Sequence, residues 1–330
     1  MGQTLSEPVV EKHTTADEDE RIAYGASAMQ GWRISMEDAH TTILKMDGSK
    51  TGKHISFFAV FDGHGGPSVA KYSGQEVHQR IAREDAYANG DYAAALKAGF
   101  LGTDDDLRAD ASFQHDPSGC TAVACIITDD WRIFVGNAGD SRAVLSANGV
   151  VVPLSFDHKP VNPEESERIY NAGGFVEFGR VNGNLALSRA IGDFEFKLDP
   201  NLPAEKHIVT ANPDITERQL LDTDEFVVVA CDGIWDCMSN QEVVDFVRQK
   251  IARGVDIPQI CEALMDHCLA PDSELGGVGC DNMTVVIVAL LKGRTKEQWA
   301  KDIASKVQLT DSPPVNGTPD GVQEGNASKS

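Results

Sequence analysis

The chain has 330 residues, room for one large domain or two ordinary ones. Its 51 acidic and 29 basic residues leave a net charge of −22. That balance excludes a general nucleic-acid binder and docking on anionic membrane by charge alone, because both need a surplus of Lys and Arg.

Chain order begins with Met1-Gly2-Gln3-Thr4-Leu5-Ser6, which fits the N-myristoylation pattern of Gly2 with Ser at position six. One acyl chain binds membrane only marginally, and the acidic run 17–20 works against it. Residues 1–20 hold no apolar stretch of a secretory signal, and no run approaches the ~18 apolar residues of a membrane span. From there the apolar runs are short. Residues 55–61, 121–128 and 132–135 read as strands, and 142–154 alternates around Asn148-Gly149, a type I′ hairpin signal. Residues 226–230 and 283–291 are continuously apolar, as strands buried on both faces are. Helices are expected over 68–86, 240–252 and 258–269. The Gly173-Gly174 and Asn182-Gly183 region reads either as a mobile flap or as turns joining ordinary strands. From about 310 the chain is rich in Ser, Pro, Gly, Asn and Asp and predicts disorder. Tandem strands with a few separate helices indicate an α+β fold with antiparallel sheets.

The seven cysteines, at 120, 125, 231, 237, 261, 268 and 280, include no C-x-x-C pair and several lie in apolar runs. They read as buried free thiols of a reducing compartment. None begins a Cys-x5-Arg phosphate-binding loop.

One pattern carries chemistry. An apolar strand ends, and an Asp follows at once. Residues 55–61 run into Asp62-Gly63-His64-Gly65-Gly66, residues 226–231 into Asp232-Gly233-Ile234-Trp235-Asp236, and residues 132–135 into Gly139-Asp140-Ser141. Asp281 lies just before the last strand, and Glu37-Asp38 follows Arg33. A single Asp-Gly is an ordinary turn. Several at the ends of strands that share a sheet pair would bring carboxylates together, where they repel and raise each other's pKa. A bound cation resolves that repulsion, and an all-oxygen donor set indicates Mg²⁺ or Mn²⁺ rather than Zn²⁺. Glu37, Asp62, Asp232 and Asp281 match the charge of two divalent ions, and Asp140 with Asp236 matches a third, weaker one. Arg33 leaves the site able to attract an anion.

These residues fall in a longer series. Arg33-Ile34-Ser35-Met36-Glu37-Asp38, Asp62-Gly63-His64-Gly65-Gly66, Ser118-Gly119-Cys120-Thr121-Ala122, Gly139-Asp140-Ser141-Arg142 and Asp157-His158-Lys159-Pro160 come first. Leu187-Ser188-Arg189-Ala190-Ile191-Gly192-Asp193, Cys231-Asp232-Gly233-Ile234-Trp235-Asp236 and Asp281-Asn282-Met283-Thr284 complete it. In this order they resemble the protein phosphatase 2C family, the metal-dependent Ser/Thr phosphatases, in the style of eukaryotic, particularly fungal, cytoplasmic and nuclear members. The resemblance implies a four-layer α-β-β-α sandwich of two antiparallel sheets flanked by helices. It places a catalytic domain at 22–292, an N-terminal extension at 1–21 and a largely disordered extension at 293–330.

Residue by residue, the resemblance implies that Asp62 bridges two core ions, Asp232 and Asp281 complete the first, and Glu37 with the Gly63 carbonyl the second. Asp140 and Asp236, sharing Asp232, would hold the weaker third ion. Asp38 would orient metal-bound water, His64 would be the general acid and Arg33 would clamp the phosphate. His158 reads as a structural contact. The implied reaction is in-line attack of a metal-bridging water or hydroxide on phosphoserine or phosphothreonine, without a phosphoenzyme. The implied partners are phosphorylated proteins, protein kinases among them, met by a monomer in the cytoplasm or nucleus. Membrane association would come only through acylated Gly2. Two alternatives remain at this level: a hydrolase of a non-protein phosphoester, and a pseudophosphatase that binds partners. The latter would show eroded ligands, and here every expected carboxylate, His64 and Arg33 are present.

Overall fold

Residues 226–230 are apolar at every position because both faces of their strand are covered. Phe226, Val228 and Ala230 face helices, while Val227 and Val229 face a second sheet. The computed structural model describes residues 4–46, 52–273 and 277–309. The first sheet orders its strands Thr4–Glu18, Ile22–Arg33, Met283–Leu290, Asp224–Ala230, Arg142–Ala147 and Val150–Pro153. The second runs Asp214–Gln219, Arg132–Ala138, Ala122–Ile127, Ser56–Phe61 and Ala39–Ile43. Every pairing in both is antiparallel.

Three apolar layers hold this together. Between the sheets lie Ile22, Phe58, Val60, Val123, Val135 and Val288. Outside the first sheet, helices Asn240–Ala252, Ile257–Cys268 and Lys296–Ala304 bury Val243, Val247, Ile260, Leu264 and Trp299. Outside the second, helices Ser68–Arg83 and Tyr92–Ala109 bury Val77, Ile81, Leu96 and Phe100. Each fully buried side chain of this size contributes about 1.5–3 kcal/mol of transfer free energy. The result is the α-β-β-α sandwich expected.

Local chemistry sets the element ends. Ser239 and Glu242 form a capping box that starts Asn240–Ala252 where expected, and Thr295 with Gln298 does the same for Lys296–Ala304. The type I′ hairpin forms as expected, with positive φ at Asn148 and Gly149.

Three expectations are corrected. The helix expected over 68–86 stops at Arg83, because Glu84 is extended (ψ 137°), and a separate turn, Asp85–Ala88, follows. The strand expected to end at Val135 runs on to Ala138, which brings Asp140 to its end. Within the stretch expected as an N-terminal extension, Thr4–Glu18 pairs with Ile22–Arg33 as an edge strand of the first sheet. It is largely solvent-exposed and carries Pro8 and a register irregularity, both characteristic of edges.

Past residue 292, Trp299 of Lys296–Ala304 is buried and its Nε1 donates to the Glu225 carbonyl at 2.9 Å. The expectations for Gly2 and for the tail from 310 fall outside the described residues. The Gly173–Gly183 region is a small hairpin, Val176–Glu177 with Arg180–Val181, beside helix Pro163–Asn171. It rests on a small core of its own built on Ile169, Val181 and Val209.

Candidate metal centre and active site

The second sheet delivers its carboxylates in register. Ala39 pairs with Phe61, so Asp38 and Asp62 leave adjacent strand ends together. The Asp62 carbonyl accepts from the Thr121 N–H at 2.9 Å, which ties that end to the next strand. The first sheet brings Asp232 and Asp281 to the same end, since Ala230 pairs with Val285. Two close backbone approaches complete the arrangement. A Cβ at Gly63 would sit 2.2 Å from the Glu37 carbonyl oxygen, and one at Gly233 would sit 2.1 Å from that of Asn282.

Asn282 fastens the loop that carries Glu37. Its Nδ2 donates to the carbonyls of Gln30 (2.8 Å) and Ser35 (3.0 Å), and its Oδ1 accepts from the Glu37 N–H (2.9 Å). The Glu37 carboxylate accepts from Ser35 Oγ (2.7 Å) and from the Gly66 N–H (3.1 Å). Arg33 Nη2 donates to Asp281 Oδ2.

The carboxylates crowd one another. Burial, then Asp232, Asp38, Asp140 and Asp281, push the Asp62 carboxyl well above its ordinary value. Burial, then Asp140, Asp281 and Asp236, do the same to Asp232. Burial pushes Asp38 up to about 6, against the hydrogen bond it accepts from Thr284 Oγ1 at 2.7 Å. Asp38 Oδ1 and Asp140 Oδ1 are buried with no hydrogen-bond partner. Orphaned oxygens in a cluster of mutually repelling carboxylates fit a hard divalent cation.

One carboxylate oxygen each of Asp38 and Asp62 lies within 4.8 Å of the other and of Cys231 Sγ. Cys231 is a poor ligand here. Its sulfur accepts from the Thr284 N–H at 3.1 Å, and burial holds it protonated. Asp140 Oδ2 accepts from Lys159 Nζ, and Asp236 lies at the exposed rim.

His64 stands at the edge of this cluster. Its Nε2 is 2.7 Å from Asp193 Oδ2. Burial alone would lower the imidazole pKa, but Asp193 outweighs it, and the group is raised above its ordinary value.

Sequence and fold comparisons agree with this geometry. The family model described as protein phosphatase 2C matches residues 22–275. The chain belongs to the protein phosphatase 2C family. It is 56% identical over 307 residues to protein phosphatase 2C homolog 2 of Aspergillus flavus, covering 90% of this chain and 70% of that one. It is 54% identical to homolog 3 of Schizosaccharomyces pombe, covering 95% and 75%. Among solved structures it resembles a phosphatase from a pathogenic strain of Toxoplasma gondii, with TM-score 0.72 and 26% identity over 85% of this chain and 96% of that one.

Within this phosphatase fold, Asp38, Asp62, Asp140, Asp232, Asp236 and Asp281 lie close enough to repel one another, Arg33 stands against Asp281, and Glu37 is held by Ser35 and Gly66. His158 is a structural contact. Its Nδ1 accepts from the Gly139 N–H at 3.2 Å and its Nε2 faces Asp214 Oδ2 at 3.0 Å. Four residues escaped the role assignments: Asp193 on His64, Thr284 on Asp38, Lys159 on Asp140, and Asn282 under Glu37. All four lie in the quoted motifs, so their presence was visible. Their partners were not, because each meets its partner only in the folded chain.

Proposed function

We propose that this phosphatase hydrolyses phosphoserine and phosphothreonine in proteins with two core divalent ions and a weaker third. The observation that supports this most is the strand-end cluster in which Asp62 and Asp232 are each raised by burial and by their carboxylate neighbours. Asp62, Asp232, Asp281, Glu37 and the Gly63 carbonyl would hold the core ions, and Asp140 and Asp236, with Asp232, the third. When bound, Mg²⁺ or Mn²⁺ supplies charge against the phosphoryl oxygens and acidifies water.

The chain's own groups do the rest. Arg33 spends one guanidinium N–H on Asp281 and keeps others for phosphoryl oxygens. Asp38 Oδ1, free of protein donors, accepts a hydrogen bond from water and fixes its orientation. Asp193 engages His64 at Nε2, so Nδ1 is the nitrogen that hands a proton to the departing Ser or Thr alkoxide. No phosphoenzyme forms in this reading: Cys120 and Cys231 are fully buried and held as thiols by burial. Phosphorylated kinases in the cytoplasm or nucleus are the proposed substrates, with the effect of lowering kinase signalling.

The test is phosphate release from a phosphothreonine peptide with Mn²⁺, with Mg²⁺ and with excess EDTA. Turnover that needs the metal and disappears with EDTA is expected. Folded protein that binds Mn²⁺ but turns over only a nucleotide or sugar phosphate would favour a non-protein phosphoester, and no turnover at all would favour a binding protein.

A further inference from the structure

All seven cysteines are thiols, and Cys237 alone among them is partly exposed. It ends the turn that carries Asp232 and Asp236. Its Sγ lies 3.3 Å from the Gly233 carbonyl oxygen and 3.5 Å from that of Cys268. The Cys237 thiol therefore lies directly against residue Cys268. Cys268 is the buried last residue of helix Ile257–Cys268, and Cys237 packs on the same apolar layer. Other buried thiols face different groups: Cys120 meets the Ser73 hydroxyl and Cys261 the Gly25 carbonyl.

We propose that Cys237 and Cys268 are a disulfide-forming pair, with hydrogen peroxide as the oxidant that converts them. The geometry supplies both requirements. One sulfur is open to a small oxidant, and the second belongs to the buried residue whose carbonyl that sulfur already contacts, on the same apolar layer. The Cys237 sulfur attacks the peroxide O–O bond, becoming a sulfenic acid and releasing one water. The Cys268 sulfur then attacks that sulfur, the S–S bond forms, and the hydroxyl leaves with a proton as the second water. Two thiols lose two electrons, and the peroxide gains them. The product joins the turn bearing Asp232 and Asp236 to the helix end from which the chain leads to Asp281. The pairing does not depend on the phosphatase reading, because its product is detected directly.

The experiment treats the full chain with hydrogen peroxide, alkylates the remaining thiols, and maps peptides by mass spectrometry without reduction. The expected result is a linked Cys237–Cys268 peptide pair lighter by two hydrogens, a free-thiol count lower by two, and full recovery with dithiothreitol. Cys268→Ser should leave Cys237 as a sulfenic acid that dimedone traps. Three outcomes would overturn the proposal. They are Cys237 driven to the sulfonic acid while Cys268 is still alkylated, either cysteine linked to a third one, and an unchanged thiol count.

Discussion

His64 and Asp193 meet at 2.7 Å across a residue that has no side chain. Gly119 pairs on one edge with His64 and on the other with Gly192, so the histidine reaches the aspartate over a bare backbone. Asp193 itself holds a left-handed conformation (φ 52°), and the residue before it is anchored by Asp104, which accepts from the Gly192 N–H at 2.8 Å. The buried Lys197 ammonium donates to the same Asp104 oxygen at 2.7 Å.

If His64 is the proton donor, its loss should hurt poor leaving groups most. His64→Ala is expected to lower phosphothreonine-peptide turnover by about 10²-fold while costing p-nitrophenyl phosphate far less, because nitrophenolate leaves without a proton. Asp193→Asn, which tolerates the left-handed backbone, should show the same split in smaller degree. Because Asp193 is what raises the His64 pKa, Asp193→Asn is also expected to move the alkaline fall in peptide turnover to lower pH. Equal losses on both substrates would contradict the assignment.

Gly119→Ala should break the same contact without removing either partner. Its Cβ would lie 2.3 Å from Asp193 Oδ2, so the carboxylate must move. Overpacking of this kind costs about 1–3 kcal/mol, and the variant should melt lower and follow the leaving-group split of Asp193→Asn. A melting temperature and substrate ratio like those of the parent would refute it.

The metal cluster makes its own demands. Asp62→Asn should nearly abolish turnover, and calorimetry should show loss of tight Mn²⁺ binding. Asp140→Ala should retain tight binding of the core ions but slow the reaction. Because Asp38 is held at about 6 and Asp62 and Asp232 are raised by their neighbours, Mn²⁺ binding near pH 6 should release protons. A pH-indicator titration measures this directly. Binding with no proton release would show that the carboxylates were not held protonated.

Glu165 governs the small lobe that carries the exposed hairpin. Its carboxylate accepts from Arg189 Nη2 at 2.6 Å, Arg168 Nη1 at 2.7 Å and Ser188 Oγ at 2.6 Å, and it is buried. Burial would raise its pKa, but the two arginines outweigh it and lower it from 4.5 to about 2. The stabilisation is therefore present above pH 4.5 and lost as pH falls toward 2. Glu165→Gln should destabilise by about 3 kcal/mol at neutral pH, since it leaves two buried guanidinium groups short of charge, and the difference from the parent should shrink in acid. Thermal melts across that range decide it.

Some of this protein was legible without coordinates. Residues 226–230 and 283–291 announce two-sided burial by composition, Val243, Val244, Val247 and Ile251 mark a helix by their spacing, and Asn148-Gly149 marks a hairpin. These are local signals, carried by neighbours within a few positions. The carboxylates at strand ends were equally visible, and the apolar runs beside them said that they would be held rigidly. The edge strand Thr4–Glu18 was not legible, because it is polar on both faces and forms only where Ile22–Arg33 offers it an open row of backbone groups.

Only the tertiary structure decided which charges meet. Thr284 finds Asp38, Asp193 finds His64 and Lys159 finds Asp140 across long separations in the chain. Which side chain faces which is fixed by strand register and by the small residues that permit close approach, Gly63 and Gly119 above all. Composition and spacing determine what each segment becomes by itself. Charge–charge and hydrogen-bond partners depend on distance in space, and that distance is set by how the two sheets pack.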